Sequence, residues 1–363
     1  MENLFNSIYK GKRVLITGNT GFKGSWLTYW LLKMGANVKG ISLNQNTTPN
    51  HFSLLKIDIE TSFIDIKNFN ELEKSIINFN PEIIFHLAAQ PLVRKSYLNP
   101  LETFNTNIIG TANIFEISKK LKSLRAIVNV TTDKCYLNKE INTGYIETDA
   151  LGGYDPYSAS KACSEIITSS YRNSFFNVKD YNKSHSVLIA SARAGNVIGG
   201  GDWSEDRLIP DLIKASSNNK KTIIRSPNSI RPWQHVLEPL TGYLIIGQKL
   251  LQKEKKIAES WNLGPATNEF SSVAEVINIA KKHWGKINFE FQENNIFHEA
   301  KLLKLNSNKA YNLLNWKSIW KLEKAVEKTI LWYKEFEEEN NISTENQLKD
   351  YVKIAKKEKL PWS

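Results

Sequence analysis

A chain of 363 residues, 41% apolar and 23% charged, has the composition of a globular protein with room for one large core and a second lobe, or for two domains, which excludes a wholly disordered protein. No stretch approaches the roughly 18 uninterrupted apolar residues of a membrane span, and the opening MENLFNSIYKGKR lacks an apolar core followed by a small-residue cleavage site. A cytoplasmic protein with no membrane partner is expected. The net charge of +11 is spread along the chain, residues 119–125 and 353–359 read as solvated helix faces, and nucleic acid is not an expected partner.

Residues 13–17 (RVLIT) read as a buried strand, and 22–34 follow with helical spacing of their aromatics. Residues 37–43 form a second predicted strand, 63–66 a third and 82–87 a fourth, with a helix at 71–77 between the last two. A long helix is predicted over 101–121, a fifth strand over 126–130, a helix over 157–171 and a sixth strand over 186–190. Strands alternating with helices imply βαβ units, and right-handed crossovers then give a doubly wound α/β fold with a parallel sheet covered on both faces. Beyond residue 192 the pattern changes. A glycine-rich loop at 195–206 is followed by short elements at 222–225, 236–251 and 259–263, and by a helix at 322–340. With no internal repeat or linker, the chain divides into a domain of residues 1–192, with returning segments near 236–264. A smaller, mainly helical lobe from 193–235 and 265–363 is built on its C-terminal side. Cys135 and Cys163 are the only cysteines. Neither sits in a metal-ligand spacing, so reduced thiols and no metal are expected.

Gly18-Asn19-Thr20-Gly21-Phe22-Lys23-Gly24 joins the first strand to the first helix with the spacing G-x-x-G-x-x-G. Glycines there permit a tight turn, close approach to a pyrophosphate and close helix packing, and the helix N-terminus offers N–H groups to phosphate. This is a Rossmann-type dinucleotide loop. The end of the second strand, Ile41-Ser42-Leu43-Asn44-Gln45-Asn46, carries no carboxylate for the ribose hydroxyls, and Asn44 takes that position. No arginine is present for a 2′-phosphate, and Lys39 is the nearest cation, so NAD is favoured over NADP.

Tyr157-Ser158-Ala159-Ser160-Lys161 places a phenol and an ammonium four residues apart on one helix face, with Asp155-Pro156 as cap and first turn. The helix dipole and Lys161 are expected to favour the phenolate of Tyr157 and make it a base. Thr131-Thr132-Asp133-Lys134 follows the fifth strand, where an open parallel sheet binds its ligands.

Together these segments resemble the extended short-chain dehydrogenase/reductase family, the group of nucleotide-sugar dehydratases and epimerases. Asp65-Ile66, Leu87-Ala88-Ala89-Gln90 and Asn196 are further marks of it. Within the group, TGNTGFKGSW, AAQPLVRKSY, GGDWSEDRLIPD and RPWQHVLEP resemble the branch that dehydrates CDP-linked glucose. Thr-Asp-Lys stands where the dTDP-glucose branch has Thr-Asp-Glu. The resemblance implies an intramolecular oxidation, dehydration and reduction giving a 4-keto-6-deoxy sugar, in deoxysugar supply to bacterial surface polysaccharide such as lipopolysaccharide O-antigen. Tyr157 and Lys161 would oxidise C4 with NAD, Thr132 would bind the C4 oxygen, Lys134 would be the C5 base and Asp133 the acid for the C6 hydroxyl. Lys134 must then be neutral and Asp133 protonated, so the two titrate as a unit. The implied cofactor contacts are the glycine loop, Asn44, Asp65, Ile66, Leu87, Ala88, Ala89, Gln90, Tyr157 and Lys161. The implied substrate contacts are Gln90, Arg94, Ser96, Asn196, Arg207 and Arg231, of which Arg94 and Ser96 are equally candidates for anchoring a loop. Trp203, Trp233 and Trp261 are candidate pocket walls, though core packing is the favoured role for each, and His86 and His235 are expected to be structural. A homodimer through the helices at 101–121 and 157–171 is implied, with a tetramer left open. Dehydration or 4-epimerisation of another nucleotide sugar (dTDP-, UDP- or GDP-linked), or a non-catalytic NAD-sensing role, are the alternatives.

Overall fold

The computed structural model describes residues 1–45, 47–265, 270–292 and 300–363. Seven strands, β1 (Arg13–Thr17), β2 (Asn37–Ser42), β3 (Glu60–Phe63), β4 (Ile83–His86), β5 (Ala126–Thr132), β6 (Leu188–Ala194) and β7 (Ser260–Leu263), form one sheet in the order β7-β6-β5-β4-β1-β2-β3. Every pairing in it is parallel. The order turns back at β1, so the loops leaving β1 and β4 diverge and open a crevice at their carboxyl ends.

Both sheet faces are buried, and the side-chain period of two is visible strand by strand. Val14 and Ile16 of β1 and Val128 and Val130 of β5 join the larger core, while Leu15 and Ile127 join a second core on the opposite face. The larger core is covered by α1 (Phe22–Lys33) and α2 (Leu237–Leu251), and it runs on into α3 (Leu322–Glu339) and α4 (Thr344–Lys357). A buried carboxyl group fastens that extension: Glu238 accepts hydrogen bonds from the N–H groups of Ile319 (2.9 Å) and Trp320 (2.7 Å) and from the Tyr351 hydroxyl (2.8 Å). Among the described residues no helix is long and apolar enough to cross a membrane.

Three predicted elements differ, the sixth strand by running Leu188–Ala194 and not 186–190. The third strand occupies Glu60–Phe63, not 63–66, because it is a half-exposed edge strand with no apolar run of its own. The neighbouring Ile66 is apolar for another reason, since it packs in a turn against Gly110. The helix predicted over 101–121 is three consecutive pieces, Pro100–Phe104, a π-helical turn Asn105–Ile109 and Gly110–Ser118. The wide turn carries Asn107, which bonds both backbone groups of Gln90 and the Ser160 hydroxyl.

Candidate active site

A cavity of about 1020 Å³ runs along the carboxyl ends of β1, β4, β5 and β6. Its floor is the glycine loop. Gly18 has φ of +76°, and a Cβ there would stand 2.8 Å from the Ala88 nitrogen, so only glycine lets the β1 and β4 loops meet. A Cβ on Gly24 would run into the Gly18 carbonyl, which fixes α1 directly on the loop. Gly21 caps α1 without a side-chain bond, leaving the first-turn N–H groups to the cavity. Thr20, Gly21, Phe22, Lys23 and Gly24 all line it. Asn19 does not line the cavity: it is fully buried and donates to the Thr61 hydroxyl (3.0 Å), so it ties the loop down.

Asn44 lines the far end of the cavity with Ser42 and Leu43, while Asn46 lies outside the described residues. Lys39 turns away into an ion pair with Glu60 at 2.5 Å. Asp65, Ile66, Leu87, Ala88 and Ala89 form the opposite walls. Asp65 accepts the Lys67 N–H (2.9 Å), and the Thr17 hydroxyl accepts the N–H groups of Leu87 and Ala88 (3.2 Å each).

The turn Asp133–Cys135 follows β5. One oxygen of Asp133 accepts from the Thr132 hydroxyl (2.9 Å) and from the Lys134 ammonium (3.2 Å). The ammonium also donates to Asn196 Oδ1 at 3.3 Å. Thr132 and Lys134 line the cavity; Asp133 is wholly buried behind them, its Oδ2 without a hydrogen-bond partner. Across the cavity, Asp155 caps α5 (Pro156–Ser174) by accepting the N–H of Ser158 at 2.9 Å and its hydroxyl at 2.6 Å. That cap sets Tyr157 in the first turn and Lys161 one turn later, both on the cavity wall.

The electrostatics correct one expectation. Burial pushes the Tyr157 phenol up to about 12, against the Thr132 hydroxyl and the Arg207 guanidinium, which act to lower it. Arg207 is thus the cation acting on the phenol. Lys161 donates instead to the Val130 carbonyl (3.2 Å), and burial lowers it to about 8 with Glu165 opposing. Burial also lowers Lys23 to about 7, with the charges of Arg207 and Lys161 adding to the effect.

Of the six substrate residues read from sequence, four line the cavity. Arg207 pairs with Asp202 (3.0 Å) and Arg94 with Asp206 (3.0 Å). Arg231 donates to the carbonyls of Ile230 (2.9 Å) and Ala300 (2.5 Å), and Asn196 holds Lys134. Gln90 and Ser96 lie elsewhere. The Gln90 amide is spent on Thr103 (2.9 Å) and on both backbone groups of Leu92, and the buried Ser96 hydroxyl donates to the Val93 carbonyl (2.6 Å). Both shape the loop after β4. Trp203 and Trp233 line the cavity, whereas Trp261 is core. His86 and His235 are buried, His86 between the Thr17 and Thr111 hydroxyls and His235 against Trp320. Sequence reasoning missed the buried pair Glu165–Arg193 beneath the site (2.9 Å), for which a lone charge in the apolar strand LIASARA is the available signal.

Residues 15–329 match the family described as GDP-mannose 4,6 dehydratase. The chain is 46% identical to the CDP-glucose 4,6-dehydratase of Salmonella typhimurium, over 95% of this chain and 98% of that one. Among solved structures, an epimerase of Methanothermobacter thermautotrophicus superposes with a TM-score of 0.79 at 24% identity, covering 90% of this chain and 94% of that one. The dTDP-glucose 4,6-dehydratase of Streptomyces venezuelae, solved with NAD and TYD bound, does so at 0.75 and 19% identity over 89% and 97%. These two likenesses speak for the fold. The glycine loop, the Thr-Asp-Lys turn, the Tyr-x-x-x-Lys helix and the match over most of the chain agree: this protein belongs to the extended short-chain dehydrogenase/reductase family, in the branch described by GDP-mannose 4,6 dehydratase.

Proposed function

We propose that the protein converts CDP-D-glucose to CDP-4-dehydro-6-deoxy-D-glucose with NAD as its coenzyme. The observation that carries the reading is the meeting of Thr132 and Lys134 from β5 with Tyr157 and Lys161 from α5 around one cavity floored by the glycine loop. The likeness to the Salmonella enzyme supports the CDP-linked substrate.

The residues fit a dinucleotide. Gly18 and Gly24 let the loop close on Ala88 and on the start of α1, which brings the loop up to the cavity, and the uncapped turn at Gly21 suits a diphosphate. The pairing of Lys39 with Glu60 removes the nearest cation that would serve a 2′-phosphate, which favours NAD over NADP. Asn44, Asp65, Leu87, Ala88 and Ala89 would hold its nucleoside, and Lys161 its nicotinamide ribose. When bound, NAD supplies the acceptor for the C4 hydride and the donor that returns it to C6.

Tyr157 must be a phenolate to take the proton of the C4 hydroxyl, and the positive charge of a bound oxidised coenzyme would add to Arg207 and Thr132 in lowering it against burial; Thr132 hydrogen-bonds the C4 oxygen. The ketone acidifies C5, and Lys134, the group that reaches the cavity, removes that proton. Asp133 does not reach the cavity: it takes the proton that Lys134 must shed, across the 3.2 Å contact between the two, before Lys134 accepts the one from C5. Lys134 then passes a proton to the C6 hydroxyl, which leaves as water, is reprotonated by Asp133, and returns a proton to C5 once the hydride is back on C6. Arg207 and Arg231 are assigned to the diphosphate, Arg94 and Asn196 to the rest of the nucleotide sugar. Residues 1–192 and 236–264 then carry the coenzyme, and 193–235 with 265–363 the substrate; within the latter, 266–269 and 293–299 lie outside the described residues. Exposed Leu98, Leu101, Ile109 and Ile166 on the adjacent helices suit a second copy of the chain, and a cytoplasmic homodimer in deoxysugar supply is the corresponding assembly.

Incubation with CDP-, dTDP-, UDP- and GDP-glucose tests this. Conversion of CDP-glucose to a product with the alkali-dependent ultraviolet absorbance of a 4-keto-6-deoxy sugar supports it; inversion at C4 without loss of water, or turnover only of another nucleotide sugar, rejects it.

A further inference from the structure

Beneath the cavity floor lies a charge pair that the chemistry above leaves unused. Glu165 sits one turn beyond Lys161 on α5, and both it and Arg193 are buried. One Glu165 oxygen accepts from the Thr131 hydroxyl (2.5 Å), the residue before Thr132. The other accepts from Ser191 (2.7 Å), Arg193 (2.9 Å) and Ser260 (3.3 Å). The second arm of Arg193 donates to the Tyr136 hydroxyl (2.8 Å) and to the Glu147 carbonyl (3.1 Å), and its guanidinium lies 5.0 Å from the Tyr136 ring centre. Tyr136 follows Lys134 by two residues and lines the cavity. Its hydroxyl donates onward to Asn262 of β7 (2.7 Å), whose amide donates to the Tyr145 carbonyl (2.8 Å). One carboxylate and one guanidinium therefore join β5, β6, β7, the catalytic helix and the segment after Lys134.

Stability alone does not account for such a pair. Two charges taken out of water recover their desolvation cost only in part, and apolar replacements of equal volume are often as stable. What the pair adds is a fixed relation among groups that must act on one sugar. We propose that Glu165 and Arg193 are positioning residues: Glu165 holds the Thr131–Thr132 end of β5 against the Lys161 turn and keeps a negative charge below that lysine, while Arg193 holds Tyr136, and with it the turn bearing Lys134, in the cavity wall. The inference rests on the proposed reading of the site.

The two members act differently on Lys161. Facing that ammonium are Glu165 on its own helix, Cys135 from the turn after β5, Lys23 from α1 and His86 from β4. Burial holds the Cys135 thiol protonated and His86 neutral, so Glu165 is the anion that keeps Lys161 charged. Removing that charge lowers Lys161 further, and the alkaline limb of the pH profile moves to lower pH. Removing Arg193 takes away the partner that holds Glu165 ionised against its burial, so it acts on Lys161 through the same carboxylate; the variant that leaves both charges in place, and the limb unmoved, is Thr131→Val.

The test is steady-state turnover of CDP-glucose by Glu165→Gln, Arg193→Met and the milder Thr131→Val across pH. Expected is a loss of about tenfold or more in kcat for the first two, the scale of a small misplacement of reacting groups. KM should change less than kcat, with the alkaline limb displaced downward in Glu165→Gln and unmoved in Thr131→Val. If Glu165→Gln does not fold, Thr131→Val carries the test, since it removes one bond to Glu165 and keeps both charges: a severalfold fall in kcat at unchanged KM supports the role, and wild-type kcat overturns it. Parallel losses in all variants with an unmoved pH profile reduce the pair to scaffolding and overturn it too. If the wild-type protein leaves CDP-glucose untouched, the substrate reading fails by itself. The limb is then read from NAD affinity, where a downward displacement in Glu165→Gln but not Thr131→Val sustains the inference and identical profiles refute it.

Discussion

Lys23 gives the sharpest pH-dependent prediction. It is in the first turn of α1, lines the cavity at the glycine loop, and its ammonium lies 6.0 Å from the Tyr243 ring centre. Burial is the main cause of its fall to about 7, and the neighbouring Arg207, Lys161 and Lys134 charges push the same way, against Asp133. A lysine lowered in this way is charged below about 7 and neutral above it. About nine in ten Lys23 side chains carry charge at pH 6, and about one in ten at pH 8. A diphosphate entering at the glycine loop prefers the charged form, so the Kd for NAD should rise about tenfold between pH 6 and pH 8, with about half a proton taken up per dinucleotide at pH 7. Arg207 stays charged throughout this range, and Lys161 contributes only at its alkaline end. Titration calorimetry in two buffers of different ionisation enthalpy measures both quantities. Lys23→Met should bind NAD more weakly at pH 6 and lose most of the slope. The same slope in that variant, or binding without proton uptake, refutes the assignment of Lys23 to the coenzyme diphosphate.

Lys134→Ala should still oxidise C4, seen as transient absorbance of reduced coenzyme, but exchange the C5 proton with solvent deuterium far more slowly; normal exchange removes Lys134 as the base. Gly24→Ala drives a methyl group into the Gly18 carbonyl, and should cost about 1–3 kcal/mol of stability and most of the NAD affinity, checked by thermal unfolding and fluorescence titration. Glu238 is raised by burial to about 7, above its unfolded value. Its protonated form is the one the fold favours, so its contribution is complete below about pH 4.5 and is lost as pH rises through about 7. The stability of wild type relative to Glu238→Gln should therefore fall by a few kcal/mol between pH 5 and pH 8, and a pH-independent difference in denaturant midpoints counts against it. Leu101→Glu with Ile166→Glu should shift the assembly toward a monomer in sedimentation, whereas an unchanged mass places any partner copy elsewhere.

What the sequence made legible follows from which interactions are local. Strands β1, β4, β5 and β6 are apolar along most of their length because both faces of the sheet are covered, and a run such as RVLIT reads that way from neighbours alone. The edge strand Glu60–Phe63 has one open side and little apolar content, so the nearby Ile64 and Ile66 drew the prediction three residues too far. The same distinction holds inside the site. Thr132, Lys134, Tyr157 and Lys161 are fixed by their place at the end of a strand or in the first turns of a capped helix, and spacing is enough to find them. Gln90 stands in an equally recognisable loop, yet its amide is claimed by Thr103 and its backbone by Asn107, seventeen residues away in a π turn that no helical period announces. Asp133 and Lys134 are adjacent in sequence and differ in reach, because the turn after β5 buries the carboxylate under Thr132 while sending the amine across to Asn196. The Glu165–Arg193 pair needs the register of β5, β6 and β7 before its partners exist, since Thr131, Ser191 and Ser260 become neighbours only when three parallel strands are aligned. A motif in this family therefore locates the groups assigned to the reaction, while the contacts around them are a property of the assembled sheet.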